Sequence, residues 1–95
     1  MGTPLRNKTI AILATDGFEQ VELTEPKRAV EQAGATTRIL SIKDGQIQGM
    51  HHDKKGDTFA VDAQVADASI DDYDALLLPG GVANPDGYVE VWLIN

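Results

Sequence analysis

Three short clusters hold the groups that could do chemistry. The first is Asp16-Gly17-Phe18-Glu19-Gln20-Val21-Glu22. Glu19 and Glu22 are three residues apart, so on a helical turn they occupy neighbouring positions, and one of them can point into a cleft. The same pair also suits a plainer part, since acidic side chains are favoured at a helix N-terminus by its dipole. The second cluster is Pro79-Gly80-Gly81. Paired glycines let the backbone approach a ligand and expose N–H groups, which suits an oxyanion or a phosphate. They equally make a tight turn. No Lys-Ser/Thr follows them, which excludes a P-loop, and no GxGxxG is present.

The third cluster is His51-His52-Asp53, with Asp57 nearby. Adjacent histidines in an extended segment point to opposite faces, so they are poorly placed to share one metal. A solvated loop is the simpler reading, and no metal site is expected. Ser41 and Ser69 lie in no G-x-S-x-G elbow, so no serine triad is visible. The chain has no cysteine. That excludes a disulfide scaffold, a thiolate zinc site, an iron–sulfur cluster and a cysteine nucleophile carried by these residues.

The elements that must position these clusters are legible as periodicity. Lys8 to Ala14 is a short, almost continuously apolar strand ending in the turn signal Thr15-Asp16-Gly17, which suggests a parallel sheet covered on both faces. Phe18 to Ala33 reads as helix in two pieces, because Pro26 is tolerated only in a first turn. Thr24 is then the expected N-cap, Gly34 the C′ residue, and Ala29, Val30 and Ala33 the inner face. Thr36 to Ile42 is a second strand, and Gln46 to Met50 a short one. Lys54 to Asp57 reads as a turn. Thr58 to Val65 alternates, as in a half-buried edge or hairpin strand. Ala66 to Tyr73 is acidic loop. Asp74 to Leu78 is a third buried strand, closed by Pro79-Gly80-Gly81. The order β–α–β–hairpin–β implies a right-handed crossover and three-layer α/β architecture. Tyr88 to Asn95 has strand propensity, being rich in β-branched and aromatic residues.

Composition narrows the function classes. At 95 residues the chain allows one domain, and 42% hydrophobic residues suffice for a core. A net charge of −7 argues against nucleic-acid and anionic-membrane partners, which need basic patches. No apolar segment approaches the roughly 20 residues of a membrane span, and no leader is evident at Met1 to Arg6. A cytoplasmic protein without a cofactor is the expectation.

Several segments together resemble the PfpI-type intracellular protease family: KTIAILATDGFEQVELTEP, QAGATTRILSI, DKKGDTFAVD and DYDALLLPGGVANPDG. That family is part of the superfamily of the Parkinson-disease protein deglycase and the class I glutamine amidotransferases. The match runs from about Lys8 to Gly87. It divides the chain into residues 1–87, the N-terminal half of such a domain, and a tail at 88–95. The resemblance implies a truncated flavodoxin-like three-layer sandwich, with parallel strands in the order 2-1-3, a small hairpin and an extra C-terminal strand. It implies peptidase, deglycase or glyoxalase-like chemistry with a stress-protection role. In that chemistry Glu22 is the hydrogen-bond partner of a nucleophilic cysteine, and Glu19 is the motif's other acidic member. A carboxyl group beside a thiolate donates a hydrogen bond and helps hold the thiol's pKa low. Backbone N–H groups at Gly80 and Gly81 would line the oxyanion pocket.

The family's Cys-His elbow follows a later strand, so this chain is expected to be inactive alone. A natural truncation, a frameshift or a deliberately made half would each give such an ending. His51 and His52 fall in the wrong region to replace the missing histidine. The alternative is a non-catalytic oligomerising or interaction module. Three strands and one long helix would leave the third strand as an open edge and one sheet face uncovered. Such edges and faces drive association. Two remedies are open: Tyr88 to Asn95 pairs as an added strand, in the same chain or in a partner, or two copies bury the bare face symmetrically. A homo-oligomer is expected, through the open edge and residues Tyr88 to Asn95.

Overall fold

The computed structural model describes residues 3–80 and 89–94. The apolar runs form a five-stranded sheet. Its members are β1 (Thr9–Leu13), β3 (Thr36–Ser41), β6 (Ala63–Gln64), β7 (Ala75–Leu78) and β8 (Glu90–Leu93), in the order β6-β3-β1-β7-β8. β1 pairs in parallel with β3 on one side and with β7 on the other. This is the anticipated 2-1-3 arrangement. A second sheet, β2-β4-β5, is built from β2 (Phe18–Glu19), β4 (Gln46–His51) and β5 (Lys54–Ala60).

One helix, α1 (Gln20–Gln32), connects β2 to β3, and it departs from the sequence reading in three ways. It is a single element, with Pro26 inside it and Glu19 as N-cap. Thr24 is not the cap. Its hydroxyl donates to the Gln20 carbonyl at 3.2 Å, the back-bonding open to a threonine already inside a helix. The inner face is also rotated: Leu23 is wholly buried, Val30 packs against the core and Ala29 is exposed. The C-terminus follows expectation. Gly34 has φ +105°, its N–H donates to Glu31 O at 3.0 Å, and Ala35 N–H donates to Val30 O at 2.9 Å. These two bonds satisfy orphan carbonyls of the last turn, and the left-handed backbone at Gly34 suits glycine.

The hairpin is displaced by a few residues from its expected position. Its turn is His52-Asp53, with His52 at φ 58°, so the Lys54-to-Asp57 stretch is strand rather than turn. Nor does one strand run from Thr58 to Val65. The chain leaves the hairpin after Ala60 and joins the other sheet, where Leu40 pairs with Ala63. Asp62 makes the transfer: its N–H donates to Ile39 O at 2.8 Å, and its Oδ2 accepts from Ile39 N–H at 2.7 Å. The following acidic loop contains two 3-10 turns, Val65–Asp67 and Ile70–Asp72.

The core lies between α1 and the main sheet. Ile10, Ile12, Ile39 and Leu77 from the sheet meet Leu23, Phe18 and Ile47 there. Each fully buried aliphatic side chain contributes about 1.5–3 kcal/mol relative to exposure. The opposite sheet face carries Ala11, Leu40 and Tyr73, with Leu13, Leu76 and Ile94 beside them. Among the described residues no helix covers it, and a groove of about 210 Å³ remains. The tail covers the edge of the third strand within the same chain, one of the arrangements open to it. β8 pairs antiparallel with β7, from Ala75↔Leu93 to Leu78↔Glu90, so the third strand is internal and β8 is outermost. No helix among the described residues is long and apolar enough to cross a membrane.

Candidate functional site

The carboxyl ends of β1 and β7 meet where the sheet reverses its order, the place where open α/β sheets take ligands. A crevice of about 350 Å³ lies there, lined by Leu13, Thr15, Asp16, Gly17, Ile42 and Pro79, among others. Its floor is apolar and its rim carries Asp16. Gly17, at φ +93°, turns the chain out of β1. Its N–H donates to Gln48 O at 2.9 Å, and Asp16 Oδ1 accepts from Gln48 N–H at 2.8 Å. Lys43 Nζ lies 2.9 Å from Asp16 Oδ2. These two donors, the ammonium first, hold the Asp16 carboxyl below the usual aspartate value.

The expected acidic pair sits at the start of α1, but its members diverge. Glu19 occupies the N-cap with an extended backbone, and Glu22 lies in the first turn. Glu22 Oε1 accepts from Gly80 N–H at 3.0 Å, and Gly80 O accepts from Glu19 N–H at 2.9 Å. In a capping box, the acid three residues on reaches straight back to the N-cap N–H. Here the Gly80 peptide group is inserted between them, and the turn after β7 is thereby fastened to the first turn of α1. Glu22 is tied to Gly80 as part of this arrangement, and the Gly80 N–H is directed at the protein's own carboxyl group. Gly81 lies outside the described residues.

The Glu19 carboxylate faces the hairpin instead. It is 9% exposed and accepts from His52 N–H, at 3.2 Å to Oε1. His52 Nδ1 lies 3.7 Å from the same oxygen, although the imidazole itself is almost fully exposed. The His51-His52 segment thus approaches Glu19 but not the Glu22–Gly80 contact. No group of three metal-ligating side chains occurs among the described residues.

Sequence reasoning missed Gln20. It is buried, its Nε2 donates to Asp57 Oδ2 at 2.8 Å, and its Oε1 accepts from Asp57 N–H at 2.7 Å. This two-point pair docks β5 against the first turn of α1. Gly56 makes the fit possible, because a Cβ there would overlap Gln20 Oε1. The available signal was the glycine beside Asp57 in an otherwise polar strand.

The fold and this strand-end site define a flavodoxin-like α/β protein with an acidic helix start fastened to a glycine turn. The DJ-1/PfpI family profile matches residues 8–92, a span that reaches into β8. The chain belongs to the DJ-1/PfpI family. An uncharacterised protein of Staphylococcus haemolyticus is 42% identical over 80 residues, covering 83% of this chain and 44% of the relative. Bacillus subtilis YraA, which carries a provisional cysteine-protease name, is 38% identical over 81 residues, covering 84% of this chain and 45% of its own length. The chain thus spans less than half the length of these curated relatives. Among solved structures, a ThiJ/PfpI domain protein from Brachyspira murdochii superposes with a TM-score of 0.68 at 25% identity, over 80% of this chain and 42% of the other. A DJ-1 superfamily protein from Agrobacterium tumefaciens gives 0.69 at 22% identity, over 84% and 41%.

Proposed function

We propose that these 95 residues supply the acidic half of a DJ-1/PfpI-type cysteine hydrolase or deglycase site and do not catalyse on their own. The observation that carries this reading is Glu22, held at the carboxyl end of the sheet by Gly80, in a chain without cysteine. A carboxyl group in that place suits hydrogen bonding to a thiolate, and the nearby crevice is large enough for a small carbonyl compound. The family's nucleophile is a thiolate, which no residue of this chain can furnish. Peptide hydrolysis and deglycation therefore both require a sulfur from outside these residues. Gly80 N–H would serve an oxyanion only after leaving Glu22, so the Glu22–Gly80 contact governs whether that donor is available.

Incubating the chain with glyoxal and following loss of the aldehyde tests this directly. The expected result is a rate equal to that of buffer with an unrelated acidic protein. Turnover that disappears in Glu22→Ala would overturn the claim of inactivity. The second reading, an interaction module, is favoured by one observation: β8, an edge strand among the described residues, is exposed and carries apolar residues on both faces.

A further inference from the structure

Among the described residues β8 is one edge of the five-stranded sheet, and its hydrogen-bonding direction follows from two independent contacts. Ile94 N–H donates to Asp74 O at 2.9 Å, so Ile94 turns its polar backbone groups inward. Residues of an antiparallel ladder alternate in this respect, so Trp92 and Glu90 also face β7. The β1 side agrees. Ala14 N–H donates to Leu40 O, and Lys8 O accepts from Thr36 N–H, so the even-numbered residues of β1 face β3 and the odd-numbered ones face β7. With Ala11 paired to Leu76, Ala75 and Leu77 bond β1 and Leu76 is left to face β8. Both routes leave the N–H and C=O groups of Val91 and Leu93 on the outer edge.

The same strand is apolar on both faces. Val91 and Leu93 lie on the α1 side and are 62% and 87% exposed, while Trp92 lies on the opposite side, 58% exposed. A strand added here needs matching edge groups and apolar residues on both faces. β5 does not meet that need, since it carries Lys54, Lys55 and Asp57. β8 itself does.

We propose that a second copy of the chain pairs antiparallel with β8 about a two-fold axis at Trp92. In this register Val91 and Leu93 of each copy exchange hydrogen bonds. Trp92 faces Trp92 of the partner subunit as a non-hydrogen-bonded pair, the closer of the two spacings in an antiparallel ladder. Cross-strand aromatic pairs are favourable. Val91 meets the partner's Leu93 on the α1 side. Glu90 falls opposite Ile94 of the partner subunit, so this acidic chain opposes no like charges across the seam. The two-fold contact is closed, because it pairs the outer edge of β8 in one copy with the same edge in the other.

The full chain tests this by sedimentation equilibrium, with an expected mass of twice 10.2 kDa. Val91→Pro deletes an outward N–H at an edge position that tolerates proline, and should give a monomer with an unchanged circular dichroism spectrum. Because the chain has no cysteine, Trp92→Cys should form an intermolecular disulfide on mild oxidation, and Glu90→Cys should not. A wild-type monomer at high concentration, an undiminished Val91→Pro dimer, or cross-linking through Glu90→Cys in preference to Trp92→Cys would each overturn the proposal.

Discussion

Glu22 Oε1 lies 3.0 Å from the Gly80 amide nitrogen, across 58 residues of sequence. Glu19 N–H closes the arrangement on the Gly80 carbonyl at 2.9 Å. One glycine peptide thus joins the first turn of α1 to the end of β7. Glu22→Ala leaves the Gly80 N–H without this acceptor and should lower stability by about 1–2 kcal/mol. Glu22→Gln retains an oxygen in the same place and should lose less. Urea denaturation of the two variants checks the order.

Gln20 and Gly56 should be energetically coupled. Gly56→Ala forces Gln20 Oε1 out of its bond to Asp57 N–H and should cost about 1–3 kcal/mol. In a Gln20→Ala background the obstructing oxygen is absent. The same glycine substitution should then cost markedly less, and a double-mutant cycle measures the difference. Equal costs in both backgrounds would show that the fit against Gln20 is not what demands glycine.

Asp16 and Glu31 provide the pH signature. Asp16 is held low by Lys43 and then by the Gln48 N–H; Glu31 is held low chiefly by the Thr37 hydroxyl, with Lys27 assisting. Both folded values lie below their unfolded ones. The stability they contribute is therefore complete above the unfolded carboxylate range and lost as pH falls through the folded values. NMR titration of the side-chain carboxyl carbons should show both midpoints below ordinary values. Lys43→Ala should raise the Asp16 midpoint only partway, because the Gln48 N–H remains.

The inner face of α1 is assigned by burial rather than by periodicity. Leu23 is 0% exposed, so Leu23→Ala should cost about 2–5 kcal/mol. Ala29 faces solvent, and Ala29→Gln should stay within about 0.5 kcal/mol of wild type. Thermal unfolding of the pair distinguishes this helix orientation from one with Ala29 turned inward.

The three parallel strands were legible because Ile10, Ile12, Leu40 and Leu77 belong to short apolar runs whose faces are both buried to a large degree. Gly34 was legible because a left-handed backbone at a helix end strongly favours glycine. The helix start was not. Thr24 has the composition of a cap, yet helix begins at Gln20, where Gly80, distant in sequence, accepts the Glu19 N–H that a local capping box would satisfy. The acidic linkers were similarly opaque. Asp74 N–H donates to Thr9 O while Asp74 Oδ2 accepts from Thr9 N–H, and Asp62 does the same with Ile39. Each aspartate completes a backbone ladder with its side chain, a role that charge patterning does not reveal. The acidic pair was found as residues but not as geometry, since Glu19 and Glu22 take partners from the hairpin and from β7 respectively.

The most direct test of the Glu22–Gly80 tie is the Gly80 amide in 1H–15N NMR spectra of the wild type and of Glu22→Ala. A Gly80 N–H bonded to Glu22 Oε1 at 3.0 Å should give a downfield, slowly exchanging proton in the wild type, and that proton should move upfield and exchange faster in Glu22→Ala. A Gly80 amide with the same shift and exchange rate in both proteins would contradict the tie.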